Sequence, residues 1–174
     1  DIMGEAHEVI VKNINPYLVD APNILVTSRS TPICNVPKMS FGNMPLDGGN
    51  LIFSNDEKNE FLLKEPEAKA CIKPLISAHE FINGEKRWCL WLIDIKPEQL
   101  KGLPLILKRI QAVKIFRLSS KAPSTQKHAS KPTQFRDTNN PKSYILIPRH
   151  TSENRKYIPI GFFDENSIPS DSCM

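Results

Sequence analysis

Glycine is scarce in this chain, with seven among 174 residues where about twelve would be usual. No GxGxxG-like segment and no glycine-lysine-hydroxyl run occurs. That excludes the glycine turn of a dinucleotide or class I methyltransferase cradle and the P-loop of a nucleotide hydrolase. Long hydrophobic runs are missing as well. Ile24-Leu25-Val26 and Leu90-Trp91-Leu92-Ile93 fall far short of the ~18 residues that a membrane span needs. The four cysteines, Cys34, Cys71, Cys89 and Cys173, form no CxxC pair and have no histidines at ligand spacing. A reducing cytoplasm with no structural zinc fits best. Cys71 and Cys89 stand between apolar neighbours and read as small core residues. Asp1 opens the chain and no signal-peptide pattern follows it, so the expectation is a piece cut from a longer protein.

Proline is abundant instead, at fifteen residues against about nine in an average chain of this length, which predicts long stiffened loops. The apolar share of 40% and charged share of 24% are those of an ordinary folded domain, and a chain this long buries roughly two thirds of its unfolded surface. Charge is the first functional clue. Residues 101–160 hold thirteen Lys or Arg and two acids, Asp137 and Glu153, so this window carries +11 and the remainder −7 within a net +4. From Leu105 to Arg136 every formal charge is positive. A solvated helix face normally mixes signs for i, i+4 pairing. A one-signed stretch points to a polyanion, with double-stranded DNA or another nucleic acid as the leading partner.

The pattern predicts an α+β domain with short strands, one clear amphipathic basic helix and long proline-rich loops. Val9-Ile10-Val11 and Ile24-Leu25-Val26 read as two strands around a turn at Asn15-Pro16-Tyr17-Leu18, and residues 28–50 as a long ordered loop. Asn55-Asp56-Glu57 predicts the cap and acidic first turn of a helix through Lys64, with a second helix from Pro66 to Lys73. Asn83-Gly84 predicts a hairpin turn leading into a central strand over Arg87 to Ile93. Lys96-Pro97-Glu98 starts another helical stretch. Pro104 opens the clearest helix, running to about Leu118. On it Ile106, Ile110 and Val113 follow i, i+4, i+7, while Lys114, Arg117 and Lys121 follow i, i+3, i+7 as an adjoining cationic strip. Residues 119–142 have almost no aliphatic side chains and predict an extended loop, flexible or ordered by a ligand. Ser143 to Ile147 and Lys156 to Phe163 read as the strands of a hairpin, with Gly161 allowing a bulge or bend and Arg149 to Arg155 at the tip.

No catalytic or metal-ligating constellation emerges. His79-Glu80 lacks a nucleophile or metal companion, and His128 and His150 lie among cations, where solvent or phosphate contact explains them. Arg149-His150-Thr151-Ser152-Glu153-Asn154-Arg155-Lys156-Tyr157 mixes phosphate-binding cations with side chains suited to base edges. Arginine reads guanine, asparagine adenine, and glutamate accepts from cytosine. The candidate DNA-binding residues are Lys114, Arg117, Ser120, Lys121, Lys127, Lys131, Arg149, Ser152, Glu153, Asn154, Arg155 and Lys156. Arg117, Lys121, Lys127 and Lys131 are the expected phosphate grips within a face formed by residues 103–160, and the base readers are expected between Ser130 and Tyr157. The competing reading is an interaction module whose basic half docks on an acidic partner.

Several segments resemble the target recognition region of the MmeI-like family, single-chain restriction-modification enzymes and related adenine-specific DNA methyltransferases. They are Asn15-Pro16-Tyr17-Leu18, Met39 to Gly49 (MSFGNMPLDGG), Glu80 to Leu92 (EFINGEKRWCLWL), Phe116 to Lys121 (FRLSSK) and Ser152 to Phe162 (SENRKYIPIGF). The resemblance implies that residues 1–27 end a linker from a methyltransferase core and that residues 28–174 form the DNA target recognition domain. It implies a partner in that core and S-adenosylmethionine as the parent's cofactor, with none in this fragment, because the catalytic and nuclease motifs are not among these residues. The fragment is expected to bind and not to catalyse, the target adenine being flipped into the other domain.

Overall fold

The computed structural model describes residues 7–25 and 27–174, and the chain divides into two compact units, 1–38 and 39–174. In the first unit the described residues form neither helix nor strand. The strand expected at Val9 to Val11 is absent, and Ile24 and Leu25 are also irregular; Val26 lies outside the described residues. Ile10 is 96% exposed. A β-branched run gains nothing from extension without a neighbouring ladder to join. The expected turn does form: the Asn15 side chain accepts from the Tyr17 and Val19 amides, and Leu18 takes a positive φ of 61°.

The second unit is α+β. Its main sheet has the order β1-β3-β2-β6, with β1 Ile52–Ser54, β2 Ile72–Ile76, β3 Arg87–Leu90 and β6 Ile168–Pro169. β3 is central, antiparallel to β1 (Ile52 opposite Cys89) and to β2 (Ile72 opposite Leu90), while β6 runs parallel to β2. The sheet and the helix α4, Pro104–Leu118, enclose the core of Leu51, Phe53, Leu90, Leu92, Ile106 and Val113. Cys89 belongs to that core, and burial pushes its thiol well above its ordinary range.

Local chemistry sets the remaining elements. Helix α1, Asn55–Lys64, is capped by Ser54 in a reciprocal box with Glu57, one residue before the expected cap. The helix expected over Pro66 to Lys73 is a 3-10 helix, Pro66–Cys71, that passes directly into β2. Asn83-Gly84 does not turn a hairpin. It closes helix α2, Ala78–Asn83, with Gly84 at φ +71° donating its amide to the Glu80 carbonyl. The same left-handed conformation serves a helix stop and a tight hairpin alike. Helix α3, Pro97–Lys101, and α4 begin at their prolines as expected.

The stretch 119–142 is more ordered than its composition suggests. It holds helix α5, Pro123–Lys127, and a 3-10 turn, His128–Ser130, both packed on α4. Phe135 is buried edge-on against Trp91. Strands β4, Ser143–Leu146, and β5, Gly161–Asp164, pair antiparallel, Tyr144 opposite Phe163. Gly161 marks a packing constraint and not a bulge: a Cβ there would sit 2.7 Å from the Phe81 and Phe163 rings. After Leu146 the first strand changes partner. Ile147 exchanges two bonds with Met174 and the Arg149 amide donates to the Ser172 carbonyl, so residues 150–160 leave the ladder as a long connection.

Candidate nucleic-acid interface

The candidate residues fall into two sets. The first stands on the C-terminal half of α4 and the elements packed against it. Lys114, Lys121, Lys127 and Lys131 are exposed, and none of their ammonium groups has an ion pair or hydrogen bond among the described residues. Ser120 is half-buried: its hydroxyl accepts from the Ala122 amide and its carbonyl from the Gln126 side chain, which together start α5. Lys142, just before β4, is likewise exposed and unpaired; nothing but its place in the basic window marks it in the sequence.

Arg117 does not belong to this surface. It is 0% exposed, and its guanidinium donates to five backbone carbonyls, those of Pro45, Leu46, His128, Lys131 and Gln134. Burial lowers its pKa, opposed by the nearby Asp47 carboxylate. With no donor left over, it presents nothing to a phosphate. Arg109, another of the thirteen cations, is also used internally, lying over the Phe53 and Phe61 rings and bonding the Asn50 carbonyl. Arg136 pairs with Asp137. The window's +11 therefore overstates the charge offered outward.

The second set lies on the 150–160 connection. Ser152, Glu153, Asn154, Arg155 and Lys156 are all exposed. They do not form an extended tip. The Arg155 amide donates to the Ser152 carbonyl at 3.1 Å and the Asn154 amide to the Ser152 hydroxyl, making a turn. Glu153 and Arg155 make no ion pair with each other or with another described residue. Arg149 is partly committed, stacking over Phe41 at 4.7 Å and donating to the Asp171 carbonyl at 3.2 Å.

Both sets share one anchor, the loop Met39 to Gly49. Phe41 lies under Arg149, while Pro45 and Leu46 bind Arg117. The loop is itself fixed by Asn43, which is fully buried and bonds Asn139 and Pro169, and by Asp47, which accepts from the Leu51 amide. Two concavities of the fold mix charges of both signs. One of about 470 Å³ sets Glu57 and Glu60 beside Lys64, Lys108 and Arg109, and another of about 560 Å³ mixes Glu67 and Asp94 with Lys73. His79-Glu80 is structural: Glu80 is buried, reciprocally capping Ser77 and pairing with Arg87.

The model of the MmeI target recognition domain matches residues 20–174. The chain belongs to the MmeI target recognition domain family. It is 46% identical over 163 residues to DNA methyltransferase A of Bacillus subtilis (strain 168), covering 93% of this chain and 18% of that protein. It also aligns with the type IIL restriction-modification enzyme MmeI, solved in complex with DNA, at a TM-score of 0.84 and 42% identity over 99% of this chain and 23% of that one. The chain thus spans about a fifth of the length of these relatives. The turn at Gly48 does not form a cofactor cradle. The glycine pair of this recognition domain, Gly48-Gly49, is a turn at φ +61° and +82°, and a Cβ on Gly48 would meet the Phe116 ring at 2.7 Å. The close approach that requires glycine is to a side chain of the fold and not to a ligand. No helix of the described residues is long and apolar enough to cross a membrane.

Proposed function

We propose that this recognition domain binds double-stranded DNA and reads its sequence for a larger restriction-modification DNA adenine methyltransferase. Residues 28–174 form the recognising part, and residues 1–27 lead from the methyltransferase core. That core would act on cytoplasmic DNA, bind S-adenosylmethionine and hold the flipped adenine. The observation that carries the reading is a set of exposed lysines, Lys114, Lys121, Lys127 and Lys131, with no acidic partner among the described residues. Unpaired like charges repel one another and stand together at a cost that a polyanion removes. These lysines grip phosphates and set the register. The turn from Ser152 to Lys156, with Arg149 at its root, supplies the base-edge contacts. The relatives support the reading, since MmeI was solved bound to DNA.

Fluorescence anisotropy with a labelled duplex of mixed sequence tests it. Each neutralised phosphate contributes about −0.9 to the slope of log affinity against log salt, so five lysine contacts give a slope of about −4 to −5. Binding that is absent at low salt, or indifferent to salt, would instead favour a module docking on an acidic partner domain.

A further inference from the structure

The surroundings of Arg117 assign it a task. A guanidinium is costly to bury, and aliphatic residues of similar volume often serve stability as well or better. Arg117 has no bonded carboxylate to offset that cost; its partners are five carbonyls, matching the five N–H donors of the group. Three of those carbonyls, at 2.7–2.8 Å, belong to the single segment 128–134. Its other backbone hydrogen bonds are local, the Lys131 amide to His128 and the Gln134 amide to Lys131, while Ala129 is buried where the 3-10 turn packs on α4 and, beyond the segment, Arg136 bonds Met44. Such local turns do not persist in a Ser-, Thr- and Pro-rich stretch without tertiary support.

The held segment carries charge. Lys131 is gripped through its own carbonyl, and Lys127 precedes the gripped His128. Both lysine side chains are exposed and unpaired. We infer that Arg117 is a positioning residue that pre-forms the 128–134 segment, so that Lys127 and Lys131 meet two phosphates of the duplex without an ordering cost at binding. The inference rests on the DNA-recognition reading and adds to it: the arginine acts on DNA through two lysines that it never touches with its own charge.

Three variants of the 174-residue chain separate the possibilities, read by salt-dependent anisotropy on a labelled duplex of mixed sequence. K127A/K131A should reduce the magnitude of the log-log salt slope by about 1.8, two contacts at about 0.9 each. R117K keeps the charge but loses the five-donor fork; the segment must then be ordered at binding, so affinity should fall several-fold at a given salt concentration. In the K127A/K131A background the same change should weaken binding no further, because the lysines it positions are gone. If R117K lowers the melting temperature but leaves the affinity at its wild-type value, Arg117 is structural only and the inference is overturned. If K127A/K131A itself leaves the slope unchanged, these lysines do not meet DNA and the underlying reading fails at them. Should R117K not fold, hydrogen exchange on the unaltered chain decides. The Lys131 and Gln134 amides should already be protected without DNA; fast exchange that slows only when duplex is added would overturn pre-formation.

Discussion

Helix α4 begins without a side-chain cap of its own, since Leu103 occupies that place. Its first free amides are met from elsewhere: Glu65, at the end of α1, accepts from Leu105 at 2.7 Å and from Ile106 at 3.1 Å and is only 6% exposed. Glu65→Ala removes both bonds and the negative charge at the positive end of the helix. A bond to a charged group contributes about 1.5–3 kcal/mol, and a buried amide left unpaired costs about 1–3 kcal/mol, so a net loss of about 3–4 kcal/mol follows. Glu65→Gln retains one acceptor while turning its NH2 toward the other amide, and should lose about 1–2 kcal/mol. For a domain of this size 1 kcal/mol moves the midpoint by about 2–4 °C. Urea unfolding followed by circular dichroism, with thermal melts beside it, gives both numbers. A loss below about 1 kcal/mol for the alanine variant, or a glutamine variant as weak as the alanine one, would refute the shared-cap account.

Gly42→Ala should cost about 2–3 kcal/mol in a thermal melt, because a Cβ there would lie 2.2 Å from the Ser170 carbonyl oxygen and 2.6 Å from its carbon, backbone that cannot swing aside. In the native chain a maleimide reagent followed by mass spectrometry should label exposed Cys34 readily and leave buried Cys89 and Cys173 unlabelled until unfolding. Burial pushes the Cys173 thiol up to about 11. Its contribution to stability is therefore whole below the unfolded value of ~8.5 and is lost as pH rises from there towards the folded value, so Cys173→Ala should flatten the alkaline fall in melting temperature. Calorimetric titration of this chain with S-adenosylmethionine should give no binding heat, since the sequence has no glycine-rich cofactor turn and Gly48 packs against the Phe116 ring; a micromolar dissociation constant would contradict that.

Elements whose signals are local were legible. Pro104 starts α4 and the central strand lies where aromatic and branched residues cluster. Signals shared by two structures were not: Asn83-Gly84 supplies a left-handed glycine to a helix end as readily as to a hairpin. Arg117 shows the limit at the candidate site. Its charge suggests the surface, but its spacing does not, since Ile106, Ile110, Val113 and Arg117 follow i, i+4, i+7, i+11 and so share one helix face. That the buried end of the stripe is an arginine is intelligible only from five carbonyls, two from the distant 45–46 loop and three from the 128–134 segment that follows the helix. Those bonds, with the burial of Ala129 and Phe135, order a stretch whose composition gave no such sign. That residues 150–160 leave the ladder follows from the pairing of Ile147 and Arg149 with the C-terminal residues, a pairing invisible to a local pattern.

We propose that this domain reads bases through the exposed turn holding Glu153 and Arg155. Exchanging the two residues, Glu153→Arg with Arg155→Glu, in the intact parent enzyme leaves the lysines proposed to grip phosphates unchanged. It alters only the side chains proposed to meet base edges, where a good bidentate pair discriminates by about 1–3 kcal/mol. Genome-wide mapping of methylated adenines in cells carrying this variant is the decisive measurement. The account predicts a methylated motif of unchanged length in which the accepted base differs at one position. An unchanged motif from a folded, active variant would contradict it and leave the turn a structural element only.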